Sequence, residues 1–389
     1  MSPAHRARAV QPIVRALATG LRPRVPASPS PGLVLTSTAA VAWATGGASP
    51  AIDRTAATDT VWLAVPADPA APCTVITTVV EAPRLAAETP FAELGWPIVA
   101  VGWSDPGEFV RATETALRSE AADIASDGHP AFGIDISHDV LARRMALTEP
   151  EIADLRSLAA DATTAVEGAL RAWRPGDTDR TVAASIAAHA ESVGASTPVL
   201  LVGGDDRLRR FRHPVPVGAV IEDVVMAVLV AQRGGLHVAL TRYAARPGAA
   251  AALADRLAAT RAVHAAVLAE TRPGATGSTL MAAIDAAYRA AGYPGAWREH
   301  YQGGPIGFAQ REFEIAPGDV TSPWWDFALP ETVAMAWNPS VAGGAKDEDT
   351  YLVTAHGVEL LTASTDWPMV DCGAVRRPDV LLVTDGKGD

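Results

Sequence analysis

The chain has 389 residues and a formal net charge of -12, with no lysine- or arginine-rich stripe beyond its first few residues. This excludes a nucleic-acid partner, which needs a concentrated positive face. No apolar run reaches membrane-spanning length, and MSPAHRARAVQPIVRALATG at the start lacks a continuous apolar stretch with a small-residue cleavage site, so no membrane partner is expected and a cytoplasmic location follows by default.

Two domains are expected at this length, because single cores stop growing near this size. The stretch RPRVPASPSPG at 22 to 32 combines four prolines with serine and glycine, so residues 1 to 32 read as an N-terminal extension. Structure is expected from Leu33. Short β-rich runs follow: VAWATGG (41 to 47), TVWLAVPA (60 to 67), CTVITTVV (73 to 80) and PIVAVGW (97 to 103). EFVRATETALRSEAADIA, 108 to 125, repeats apolar residues at helical spacing, which makes 33 to 145 a small α/β domain. Cys73 and Cys372 form no CxxC pair and read as reduced structural thiols.

The second domain is placed at 146 to 389. Thr148 followed by acidic residues predicts the start of a long amphipathic helix, 150 to 173. A helix near 179 to 193 and strands at 198 to 203, 224 to 232 and 235 to 242 complete one block. Helices near 249 to 270 and 277 to 292, with strands at 332 to 338 and 349 to 354, form a second. Two helices followed by antiparallel strands, twice over, predict a pseudo-twofold α+β domain with its cleft between the halves.

Several stretches together carry a resemblance. GGPIGFAQRE (303 to 312) resembles GHGIGLxxHE, VAMAWNPS (333 to 340) resembles VLTVEPG, and KDEDTYLVT (346 to 354) resembles RIEDxxxVT, all motifs of the creatinase and aminopeptidase P family. VLLVGGDDRLRRFRHP (199 to 214) and MAVLVAQRGGLHVALTR (226 to 242) resemble that family's histidine loop and its metal-bearing hairpin. The resemblance implies a pita-bread fold, generally a homodimer, acting on a small-molecule substrate. In metal-dependent members two aspartates, one histidine and two glutamates hold a pair of ions. Their positions here are Val228, Ala239, Gly304, Asn338 and Glu348, so four ligands are lost. Valine, alanine and glycine have no donor, and an amide is a poor bridging ligand. No metal and no other cofactor is expected. The one alternative metal set would draw on His237, His300, Glu312 and Glu348.

The resemblance gives His213 a cleft role, and a histidine suits proton transfer near neutral pH. Glu312 and Glu348 are the accompanying catalytic candidates, as carboxylates for a cationic group or for base chemistry. Arg311, which replaces a family histidine, offers a planar fork to a substrate carboxylate. His300, Tyr301, His237 and Asn338 are further substrate-binding candidates. Asp347 and Asp349 alternate with Glu348 and so face the other side of the strand. The expected function is a metal-independent, creatinase-like enzyme that cleaves a C-N bond of a small amino-acid-like substrate. The alternatives are a non-catalytic binding protein of the same fold and a conventional Xaa-Pro metallo-aminopeptidase.

Overall fold

The computed structural model describes residues 2–21, 32–48, 52, 56, 58–105, 107–315, 324–373 and 375–384. Ser2 opens the first helix, α1 (Pro3–Gly20), which buries Ala4, Ala7, Val10, Val14 and Ala18 along one helical stripe. The expected extension over 1 to 32 is thus corrected: its first part is a packed helix. Alanines among arginines gave too weak an apolar signal to reveal it. Of the proline-rich stretch, 22 to 31 lie outside the described residues.

The chain divides into two units, Met1–Asp154 with Gly234–Leu236, and Leu155–Arg233 with His237–Asp389. The first division falls within a helix rather than before it, where the sequence placed it. In the first unit, β1 (Leu33–Ser37), α2 (Thr38–Ala44), β2 (Thr58–Val65), β3 (Thr74–Thr78), α3 (Ala82–Glu88), β4 (Ile98–Val101), α4 (Gly107–Leu117), β5 (Ala125–Ser126), β6 (Ile134–Asp135) and α5 (Ser137–Met145) follow in order. They build a mixed six-stranded sheet ordered β4-β3-β2-β1-β5-β6. VAWATGG, expected as β-rich, lies mostly in α2. Ser37 accepts from Ala40 N at 3.3 Å to start that helix, and burial of Val41 and Trp43 overrides their strand preference.

α6 (Glu149–Ala172) starts as the sequence implied. Thr148 donates its backbone N–H and its hydroxyl to Glu151 Oε2 at 2.7 and 2.8 Å, the reciprocal half of a capping box. Then come α7 (Asp179–Ser192), β7 (Ser196–Gly204), α8 (Asp205–Arg210), β8 (Val224–Arg233) and β9 (Leu236–Ala245). The second block has α9 (Pro247–Glu270), α10 (Gly277–Ala290), β10 (Gly303–Pro305), β11 (Val333–Trp337), β12 (Ser340–Val341), β13 (Ala345–Lys346), β14 (Asp349–Thr354) and β15 (Gly357–Leu360). Three short strands close the described chain: β16 (Met369–Cys372), β17 (Val375–Pro378) and β18 (Leu381–Leu382).

Two four-stranded sheets, β18-β9-β8-β7 and β10-β11-β14-β15, carry the second unit. The first eight residues of β8 are all buried, as befits a strand covered on both faces. The sheets meet along β9. Thr241 N donates to Glu348 O at 3.0 Å, while the Thr350 hydroxyl accepts from Ala239 N at 2.8 Å and donates to Ala239 O at 2.9 Å. One side-chain hydroxyl thereby stands in for a ladder pair, and it fixes β14 against the strand that carries Ala239 and Thr241. Among the described residues, no helix is long and apolar enough to cross a membrane.

Candidate functional site

Strand alternation sorts the Lys346–Asp349 segment into two faces. On one, Lys346 Nζ lies 3.1 Å from Glu348 Oε2, and the Thr241 hydroxyl donates to the same oxygen at 2.7 Å. All three residues are buried. Burial opposes the charge on Glu348, but Lys346, followed by Thr241 and Arg311, outweighs it and lowers the pKa. On the other face, Arg377 grips Asp347 through two 2.9 Å contacts and Asp349 through one of 2.7 Å. Arg242 reaches Asp349 at 2.9 Å, and His264 Nδ1 lies 3.0 Å from Asp347. Burial opposes ionisation here too; Arg377, ahead of His264, holds Asp347 well below the usual carboxylate range.

His213 follows α8 on a loop whose path depends on a bare strand end. A Cβ on Gly203 would lie 2.4 Å from Pro214, so the proline beside His213 packs there only against glycine. Arg212 anchors the same loop through Ser340, at 2.8 Å, and Glu299. His213 Nε2 lies 3.0 Å from His300 Nε2. His300 Nδ1 lies 2.5 Å from the Tyr301 carbonyl oxygen, which can only accept, so Nδ1 carries the hydrogen. A neutral His300 therefore offers its lone pair at Nε2, His213 donates from Nε2, and the His213 lone pair falls on Nδ1.

Electrostatics favours those neutral rings. Burial first, then the positive charge of Lys346, pushes His300 down to about 3 and lowers His213 as well, with Glu348 pulling weakly the other way. The histidine pair and the Lys346–Glu348 pair thus share one electrostatic site. The sequence motifs singled out His213, His300 and Glu348 but missed Lys346 and Thr241. Strand period was the available signal: Lys346 stands two residues before Glu348, and Thr241 two after Ala239.

The glycine segment distributes its side chains differently from expectation. Glu312 is buried, yet its carboxylate accepts from Ala309 N at 3.1 Å and so braces its own turn. Glu314 is the carboxylate whose charge interacts with Arg311 and Glu348: it accepts from Gly303 N at 2.7 Å and lies 3.3 Å from Arg311 Nε. Burial pushes its pKa up, against the pull of Arg311. Arg311 also donates to Ala336 O at 3.2 Å, so part of its fork is already used. Tyr301 is 66% exposed; its backbone carbonyl accepts from His300, and its ring meets the His300 ring edge-on at 6.3 Å. His237 meets the carbonyl of Gly307 through Nδ1 at 3.0 Å. Gln302 and Asn338 face each other across the ladder, with Asn338 N donating to Gln302 O at 2.9 Å, and the side-chain oxygens of both are buried without a donor. Gln302 Nε2 bonds two carbonyls, of Trp297 and His300, which fixes its amide orientation.

These side chains do not fit a pair of divalent ions. Val228 and Ala239 are buried hydrocarbon. At Gly304 there is no room for the lost histidine, since even a Cβ would lie 2.3 Å from Phe313 O. The remaining carboxylate, Glu348, already has one oxygen shared between Lys346 and Thr241. Among the described residues, no group of three or more histidine, cysteine, aspartate or glutamate side chains is placed to hold an ion. In particular, His237, His300, Glu312 and Glu348 do not converge as an alternative set.

The fold is a small α/β unit followed by a pita-bread unit, as the sequence motifs implied. Residues 153 to 355, just over half of the chain, match the model of metallopeptidase family M24, and the chain belongs to that family. Solved structures agree in fold over nearly their whole length. The dipeptidase PepE from Mycobacterium ulcerans is 20% identical with a TM-score of 0.71, covering 98% of this chain and 97% of its own. The X-Pro aminopeptidase from Thermotoga maritima MSB8 is 18% identical at a TM-score of 0.66, covering 90% and 98%. The prolidase from Pyrococcus furiosus is 17% identical at 0.67, covering 86% and 96%. No curated protein matches the sequence.

Proposed function

We propose that this chain is a metal-independent enzyme of the M24 fold that cleaves a C-N bond in a small amino-acid-like substrate. The observation that carries the reading is the pairing of His213 with His300 beside Lys346 and Glu348, where four of the five ion-ligand positions of metal-dependent members carry Val228, Ala239, Gly304 and Asn338. His213 is the proton carrier. Its Nδ1 takes the proton of a water as the oxygen adds to the carbon, and returns it to the leaving nitrogen, so the ring ends neutral. His300 holds the His213 tautomer that makes this possible. Glu348 is reassigned from a catalytic candidate to the partner of Lys346, and Glu312 from a catalytic candidate to a brace of its turn. The buried oxygens of Gln302 and Asn338 call for N–H donors, which an amine or amide substrate supplies. The homodimer implied by the resemblance remains part of this reading.

The test is purified protein, dialysed against chelator, assayed on Xaa-Pro and other dipeptides and on N-alkyl and amidino amino acids, with elemental analysis alongside. Turnover should survive the chelator and fall by about a hundredfold or more in His213→Ala, the usual range for losing a general base. Stoichiometric manganese or zinc with chelator-sensitive turnover would instead establish a metallo-aminopeptidase. Binding of these compounds without any turnover would establish a non-catalytic binder.

A further inference from the structure

An ammonium group has three N–H donors and no acceptor. That of Lys346 is buried, 6% of its side chain being exposed, and among the described residues its one partner is Glu348 Oε2 at 3.1 Å. Two donors of a buried cation are thus left over, which is costly unless something accepts them. The Glu348 oxygen is itself shared with Thr241. Lys346 also borders a cavity of about 100 Å³, lined in part by Phe211, Arg212, Met226 and Ser340. Arg212 is already engaged by Glu299 and Ser340, and Arg209 and Arg210, which also line the cavity, are largely exposed beside Asp206, so Lys346 is its buried cation with donors to spare.

We propose that the Lys346 ammonium, fixed by Glu348 and Thr241, is a built-in binding site for one anionic oxygen of the substrate, and takes over the charge that ions supply in metal-dependent members. The inference rests on the metal-independent reading above and gives it a substrate class: molecules with a carboxylate, or with a carbonyl oxygen that gains charge as the C-N bond is attacked. A covalently attached cation can do this because an oxyanion needs a positive donor at hydrogen-bond distance and not an ion as such. Glu348 has then changed role from ligand of the cation to anchor of its replacement. Neutral His213 and His300 beside the cation are the consistent accompaniment, since a protonated ring there would repel it.

The first experiment measures acetate binding to the full chain by calorimetry and by protection against thermal unfolding. The double variant Lys346→Met with Glu348→Gln removes both charges of the pair and leaves no lone buried charge, so it should fold. It should bind acetate about tenfold to hundredfold more weakly, the loss expected for one charged hydrogen bond. Equal acetate affinity in the two proteins would overturn the proposal. Lys346→Ala should melt at a lower temperature, and ethylammonium, which returns the cation without the tether, should restore acetate binding; no restoration would count against the proposal. In the turnover assay, a rise in KM alone in Lys346→Met would identify a ground-state carboxylate. A fall in kcat alone would identify the oxygen that gains charge, and no change in either would overturn the proposal. If turnover proves to need manganese while acetate binding still depends on Lys346, the metal-independent reading fails and the oxygen site stands. Chelator-resistant turnover with Lys346-independent acetate binding would do the reverse, removing the oxygen site and leaving the metal-independent reading in place.

Discussion

The two faces of the segment from Lys346 to Asp349 differ in one respect that matters. The Asp347–Asp349 face is saturated: two carboxylates meet Arg377, with Arg242 and His264 completing a buried network. The Lys346–Glu348 face is left open, with spare ammonium donors on one side and two partnerless amide oxygens on nearby strands. A saturated network has nothing left to offer a ligand and stabilises the fold by its completeness. An incomplete one is costly in the free protein and useful when substrate arrives. Four consecutive residues thus alternate between a fully paired and an incompletely paired environment, because the strand turns successive side chains to opposite sides.

That contrast can be broken from the saturated side first. Arg377→Met removes the guanidinium shared by buried Asp347 and Asp349, leaving them only His264 and Arg242, and should cost about 3 to 5 kcal/mol in denaturant unfolding. A loss below about 1 kcal/mol would show that the network is not what holds this face.

Acid unfolding sharpens the comparison. The pKa of His300 is about 3 in the folded chain, against the ordinary 6.5, and those of His213 and His264 are also lowered. A histidine with a depressed folded pKa binds its proton first in the unfolded chain. Its contribution is therefore complete above the unfolded value and declines as the pH falls from about 6.5 toward the folded value, by up to about 1.4 kcal/mol per pH unit for one ring. Asp347, depressed by Arg377, loses its contribution only below the ordinary carboxylate value near 4. Unfolding free energies measured at pH 7, 6 and 5 should therefore slope downward before Asp347 titrates, the three histidines outweighing Glu151 and Glu314, whose raised pKa values act in the opposite sense. His300→Gln and His264→Gln should each flatten that slope, which assigns it to the open and the saturated face in turn. An unchanged slope in both variants would refute the assignment. The smallest effect belongs to Tyr301→Ala: the ring is exposed, so stability should change by less than about 0.5 kcal/mol and turnover should hold if only its carbonyl orients His300. A large loss of turnover would return the phenol to the site.

How much of the site could be read beforehand depended on whether the information was periodic. The alternation of Lys346, Asp347, Glu348 and Asp349 lies in the sequence, so the opposed faces of Glu348 and its neighbours were legible. The distance between His213 and His300 was not, since 87 residues separate them and their meeting depends on Pro214 packing over Gly203. The same limit explains the exchange of Glu312 for Glu314. Both belong to one irregular segment, and only the bonds to Ala309 and Gly303 decide which carboxylate braces a turn and which faces Arg311.

By itself the sequence determined the two-part α/β plan, most helices and strands of the second unit, and the loss of ion ligands, because hydrophobic period, helix caps and side-chain identity are local properties. Tertiary structure decided that α1 packs, that no histidine fits at Gly304, and that the carboxylate left at Glu348 faces a lysine. Those facts depend on which distant backbone atoms come within a few ångströms of one another, and no local pattern encodes that.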